Sequence, residues 1–248
     1  QPAPATEDAP APLIQVAVWG GAQVSVRDSA NHYLGLDENS ALINEIEGSS
    51  YNQLENFTDI ALPSGWSYTV TFQQQGPNPL LVKVTDFRAP AVESAFSAEQ
   101  SAVFIEAPSQ PGGKATLQLD LSSGLESLNL VVDLDNDGTP EHILPPSSVL
   151  DAENCRDYTM PATGIQVDGP RDRLGYPTGG ISIILSATDA DSGVYKTEYS
   201  LDQGLTWQAY VLPVLLVAEE TPVFYARSID RAGNIEYPWA RQVLRPFA

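Results

Sequence analysis

Apolar and polar residues alternate through most of this chain, and helical spacing is scarce. Leu13-Ile14-Gln15-Val16-Ala17-Val18-Trp19 and Ala22-Gln23-Val24-Ser25-Val26 read as two strands broken at Gly20-Gly21. Residues 67–72 and 80–84 share this period and flank Gln75-Gly76-Pro77-Asn78-Pro79, which predicts a hairpin there. Further strands are predicted at 102–105, 115–119 and 128–132. After Pro145-Pro146-Ser147-Ser148 the chain turns polar as far as Thr163, and a domain boundary is placed in that stretch. Beyond it, 181–187, 196–200, 207–211 and 223–228 are short strands at the spacing of a sandwich. One or two helical turns are expected at 97–101, confined by Pro90 and Pro108. The expected fold class is all-β, with two β-sandwich domains. The first covers 13–150, as one body or divided near residue 90. A linker at 151–162 leads to the second, at 163–248.

Composition narrows the partners. Among 248 residues, 12 Lys and Arg stand against 32 Asp and Glu, a net charge of −20. Nucleic acid and anionic membrane surfaces are therefore excluded as partners, since both are bound largely through cationic side chains. With 42% hydrophobic and 18% charged residues the chain is not disordered overall. Its 18 Gly and 20 Pro are far more punctuation than a helical bundle tolerates. No apolar run approaches the length needed to span a bilayer, so no membrane insertion is expected. A single cysteine, Cys155, excludes an intramolecular disulfide and a CxxC pair. The opening QPAPATEDAPAP, residues 1–12, is an acidic Pro/Ala-rich tail, expected as the end left by signal-peptide removal from a secreted protein.

Three blocks in the second half are distinctive. They are Ser186-Ala187-Thr188-Asp189-Ala190-Asp191-Ser192-Gly193-Val194, Thr197-Glu198-Tyr199-Ser200-Leu201-Asp202-Gln203-Gly204-Leu205-Thr206-Trp207, and Tyr225-Ala226-Arg227-Ser228-Ile229-Asp230-Arg231-Ala232-Gly233-Asn234-Ile235-Glu236. Together they resemble the bacterial Ig-like repeat of extracellular and outer-surface proteins, over roughly residues 163–245. The resemblance implies an Ig-like sandwich acting as a spacer, an adhesive element or an appendage to a larger enzyme. Ala218-Glu219-Glu220 departs from it, standing where such repeats often carry a Gly turn. Asp202-Gln203-Gly204 reads as a hairpin turn, and Trp207 is expected to pack inward as a core anchor. Residues 24–35, 43–51 and 63–70 are similar, less specifically, to modules that precede Ig-like repeats in bacterial surface proteins.

Two acidic sets carry the candidate chemistry. In Asp133-Leu134-Asp135-Asn136-Asp137-Gly138-Thr139-Pro140-Glu141, alternate carboxylates before a Gly turn converge in the manner of a calcium loop, although Leu144 at the twelfth position rules out an EF-hand. The alternative is a solvated turn whose side chains bond their own backbone. Asp189, Asp191, Asp230, Asn234 and Glu236 form the second set, on two loops that one end of a sandwich brings together. Turn chemistry again explains each residue singly. His32 and His142 lack any ligand spacing, and Cys155 has no neighbouring His in sequence to activate it. Neither a GxSxG, a P-loop nor a GxGxxG is present. Trp19, Trp66, Trp207 and Trp239 are expected in the core rather than on a sugar-stacking platform.

These readings lead to a non-enzymatic structural protein of the cell surface, self-assembling into filaments with calcium as its cofactor. The extended segment bearing Leu13, Ile14, Val16 and Val18 is expected to join copies by adding a strand to a neighbour's sheet. The alternative is an adhesive or carbohydrate-binding module, with a glycan as partner. A hydrolase with a carboxylate pair is the least favoured reading, because no spacing singles out a pair.

Overall fold

Pairing of backbone donors and acceptors between antiparallel neighbours accounts for nearly all the regular structure. It is seen in a computed structural model that describes residues 13–87, 99–218, 220 and 223–244. The tail at 1–12 lies outside the described residues. The chain divides into two compact units, Gln1–Cys155 and Arg156–Ala248.

Unit 1 begins with β1 (Leu13–Trp19), β2 (Ala22–Asp28), β3 (Tyr33–Leu36), β4 (Leu42–Asn44), β5 (Ser50–Leu54), β6 (Phe57–Pro63) and β7 (Tyr68–Gln74). It continues with β8 (Leu80–Phe87), β9 (Glu99–Ala107), β10 (Lys114–Leu119), β11 (Leu130–Asp133), β12 (His142–Leu144) and β13 (Ser148–Leu150). One sheet runs β13-β9-β8-β1-β6-β5, the other β12-β11-β10-β7-β2-β3-β4. Their inner faces interdigitate. Val16, Ile60, Leu62, Val82, Val84 and Phe104 of the first sheet and Val24, Val26, Val70, Phe72, Leu117 and Leu130 of the second form one continuous buried cluster. That cluster draws on strands either side of residue 90.

Several expectations are corrected here. The segments 67–72 and 80–84 are strands but not a hairpin. β7 pairs with β2 and β10, while β8 pairs with β1 and β9, so 75–79 carries the chain from one sheet to the other. Gly20-Gly21 makes the same kind of crossing between β1 and β2. Gly20 has φ 115°, and a Cβ there would stand 2.7 Å from the Pro79 carbonyl oxygen, so the two crossings lie against each other and only glycine fits. Residues 99–101 open β9 and are not helical, because ladder bonds to β8 and β13 outweigh local preference. The assembly strand is not free. β1 pairs along its whole length with β6 on one side and β8 on the other, with Ile14, Val16 and Val18 buried and Leu13 at its end. Neither edge of β1 is left for another copy.

Unit 2 comprises β14 (Ala162–Asp168), β15 (Gly180–Thr188), β16 (Val194–Ser200), β17 (Gln208–Ala209), β18 (Val214–Val217), β19 (Val223–Asp230) and β20 (Ala240–Val243). Three strands, β14-β15-β18, and four, β17-β16-β19-β20, form the two antiparallel sheets of a β-sandwich. Ile181, Ile183 and Leu185 of β15 meet Phe224 and Ala226 of β19, with Leu244 closing the cluster. This core is much smaller than that of unit 1.

Phe72 is fully buried in unit 1 and Trp66 is 60% exposed. Phe72→Ala is expected to cost about 3–5 kcal/mol in equilibrium urea denaturation, and Trp66→Ala only about 0.5 kcal/mol or less.

Candidate functional site

The site is built where three segments of unit 2 meet. β15 ends at Thr188, and the turn beyond it is shaped by Asp189, whose Oδ2 accepts from the amides of Asp191 at 3.2 Å and Gly193 at 2.7 Å. β19 ends at Asp230, whose Oδ1 accepts from Asn234 N and whose Oδ2 accepts from Asn234 Nδ2, both at 2.8 Å. The third segment arrives before β14. Asp157 Oδ1 accepts from Thr159 N at 2.8 Å, and its Oδ2 accepts from Ser192 N at 3.0 Å. Asn234 Nδ2 also donates to the carbonyls of Asp157 and Thr159, and Thr159 Oγ1 donates to Asp191 Oδ2 at 2.9 Å.

One oxygen each from Asp157, Asp189 and Asp230 lies within 4.8 Å of the others. Asp230 and Asp157 are buried, at 0% and 4% exposure. At an effective dielectric of ~20, each ionised pair at that spacing repels by about 3 kcal/mol. Burial therefore pushes the Asp230 carboxyl above its ordinary value, the hydrogen bonds from Asn234 oppose the rise, and the charges on Asp157 and Asp189 add to it. The sign follows. A carboxyl raised on folding makes the unit gain stability as pH falls from neutrality toward the ordinary carboxylate range. Asp189 Oδ1 is buried and has no hydrogen-bond partner. Such an oxygen, beside two buried carboxylates, is completed by a proton or by a cation.

The sequence reading placed five residues here, and the structure separates them. Asp189 and Asp230 converge. Asp191 is exposed and bonds Thr159, outside the trio. Asn234 ties Asp230 to the 157–159 segment. Glu236 is buried elsewhere, accepting from Thr163 N at 3.0 Å, Thr163 Oγ1 at 2.5 Å and Ser228 N at 3.0 Å. It fastens β14 to β19. Asp157 was missed, because it stands in the polar stretch taken for a linker and no periodicity or motif marks it.

In unit 1, the Asp133, Asp135, Asp137 and Glu141 carboxylates also gather within 4.8 Å. Here the loop uses them itself. Asp133 accepts from Asp137 N and Gly138 N, Asp135 from Asp137 N, Asp137 from Thr139 N, and Glu141 from Leu134 N. Asn136 at φ 57° and Gly138 at φ 94° supply the left-handed turns. Apart from Asp133, these acids are exposed.

The tryptophans are a further correction, since none of the four belongs to a buried core cluster. Trp207 instead covers the Arg227 guanidinium, 4.1 Å from its ring, and meets Trp239 edge-on at 5.0 Å. Beneath it Arg227 donates twice to buried Glu198, at 3.0 and 2.9 Å. Gly204, in the turn at 202–204, leaves the room that Trp239 fills. In the same turn Asp202 is held down to about 2, first by Thr206 and then by Ser200. Trp19 meets Phe57 at a tilt of 42°.

Among the described residues no helix is long and apolar enough to cross a membrane. No protein-family model matches this chain, and no curated protein matches it in sequence.

Glu236→Ala leaves the buried Ser228 amide unpaired. Urea unfolding of unit 2 is expected to show a loss of about 1–3 kcal/mol, equal with calcium and with a chelator, and a smaller loss for Glu236→Gln.

Proposed function

We propose that this chain is a non-enzymatic structural protein of the cell exterior whose second β-sandwich is completed by a calcium ion at Asp157, Asp189 and Asp230. The observation that carries this is the buried, unpartnered Oδ1 of Asp189, on a carboxylate that gathers with two buried ones. Calcium takes oxygen ligands at 2.3–2.6 Å, so any two ligands of one ion stand at most about 5 Å apart, and the three oxygens here lie within 4.8 Å of one another. Three carboxylates also match the hardness and charge of that ion. Extracellular modules bind calcium at about 10⁻⁴–10⁻³ M, where the surrounding fluid keeps them filled. The acidity of the chain and the Ig-like sandwich support the same setting. The loop at Asp133, Asp135, Asp137 and Glu141 offers carboxylates to the same ion class, at an exposed position.

The ion would hold the segment entering β14 against the turns that follow β15 and β19, joining both sheets at one end of the unit. Calcium titration followed by calorimetry and thermal unfolding tests this. At a free concentration of 100 times Kd, the ion is expected to stabilise unit 2 by about 2.7 kcal/mol. Asp189→Asn and Asp157→Asn are each expected to remove that gain and to leave unit 1 unchanged. The absence of any calcium-dependent shift up to about 10 mM would overturn the reading.

A further inference from the structure

Four connections of unit 1 converge at one end of its sandwich. They are the crossings from β1 to β2 and from β7 to β8, and the turns from β3 to β4 and from β5 to β6. Between them lies an open cleft of about 440 Å³. Small-ligand sites span roughly 300–1,000 Å³. The frame of the cleft is fixed by the chain itself. Gly20 N donates to Asn56 O at 3.3 Å, and Ser109 Oγ donates to Gly76 O at 2.8 Å. Asp37 Oδ1 accepts from Asn39 N and Ala41 N, both at 2.8 Å, and so shapes the turn that carries Ser40 into the lining.

The lining is rich in amides. The 248 residues include 10 Asn and 14 Gln, yet Gln23, Gln53, Asn56, Gln75 and Asn78 are five of the twelve residues around the cleft. Turn chemistry does not account for them. Asn44, Asn129, Asn154 and Asn234 each spend their side-chain amide on their own turn. The side chains of Asn56 and Asn78 have no protein partner among the described residues, and neither does the Glu55 carboxylate. Gln53 accepts from Tyr51 Oη at 2.8 Å through Oε1, which orients the side chain and leaves its Nε2 unspent. Ser40 holds φ 62°, a conformation that glycine takes more readily, so a hydroxyl is kept where the turn alone favours none.

This chemistry selects the ligand. No Lys, Arg or His lines the cleft, so nothing there answers a phosphate or a carboxylate. Leu36 is its one large apolar side chain, too little to anchor a lipid or the side chains of a peptide. A primary amide donates and accepts at once, and so does a hydroxyl. A set of amides beside one carboxylate is therefore complementary to neighbouring hydroxyls on a sugar ring. We infer that this cleft binds a neutral glycan, with Gln53, Asn56 and Asn78 bonding its hydroxyls and Glu55 accepting from them. The site goes beyond the calcium reading and is independent of it, because the Asp157, Asp189 and Asp230 carboxylates belong to unit 2.

Nuclear magnetic resonance of the ¹⁵N-labelled full chain tests this, with a chelator present so that the outcome is separate from the calcium reading. Cellobiose, maltose, lactose and N,N′-diacetylchitobiose are the probes. At least one is expected to shift the side-chain amide signals of Asn56 and Asn78 saturably, with a Kd of about 1 mM or tighter. Asn56→Ala and Asn78→Ala are each expected to weaken that binding about tenfold with unchanged circular dichroism. Asn129→Ala, whose amide serves its own turn, is expected to leave it unchanged. Inorganic phosphate is expected to shift neither signal. The inference is overturned if no probe gives a saturable shift up to about 20 mM. Shifts confined to residues outside the cleft, an affinity that survives both alanine substitutions, or the same shifts with phosphate would also overturn it.

Discussion

An extended backbone must pair its N–H and C=O groups on both sides while giving one side-chain face to an apolar layer. In unit 1 this demand is met by hairpin pairing within each sheet and by sending some consecutive strands to opposite sheets. β1 and β2 do so through Gly20-Gly21, and β7 and β8 through 75–79. Phe72 and Val82, ten residues apart in the chain, end up in one core cluster contributed from the two sheets. The close approach of Gly20 to Pro79 shows how tightly the two crossings constrain each other. β1, placed between β6 and β8, is the axis of the first sheet and not a spare strand.

Unit 2 meets the same demand with less apolar material, and supplements it with buried polar fastenings. Glu236 holds Thr163 and Ser228, joining β14 to β19. Glu198 holds Arg227 on the outward face of the four-stranded sheet, under Trp207. The carboxylates of Asp157, Asp189 and Asp230 gather at one end. The first two are neutralised or saturated by donors within the unit. The third carries an oxygen left over, and for that reason stands apart chemically from the loop at Asp133, whose carboxylates serve the backbone amides of their own turn.

Much of the fold is legible in alternation alone. Ile181, Ile183 and Leu185 announce β15, and Val24 and Val26 announce β2, because each buries every second side chain. β4 and most of β5 escape notice, since their side chains are exposed and no alternation marks them. The turn Gln75-Gly76-Pro77-Asn78-Pro79 reads alike for a hairpin and for a crossing between sheets, and only the partners of β7 and β8 separate the two. At the acidic site Asp189 and Asp230 stand out because turn motifs surround them. Asp157 does not, for its role depends on spatial neighbours more than thirty residues away. The tryptophans mislead for a related reason: size and apolarity suggest a core, whereas Trp207 serves a cation.

The edge-on contact of Trp207 with Trp239 has an optical meaning. Two indoles 5.0 Å apart couple their electronic transitions, and the Arg227 charge over one of them shifts its excited state. Both rings belong to unit 2, whereas Trp19 and Trp66 belong to unit 1. The near-ultraviolet dichroism of the chain is therefore expected to hold an intrinsic signature of the second sandwich, lost when Trp207 parts from Trp239 and needing no attached dye.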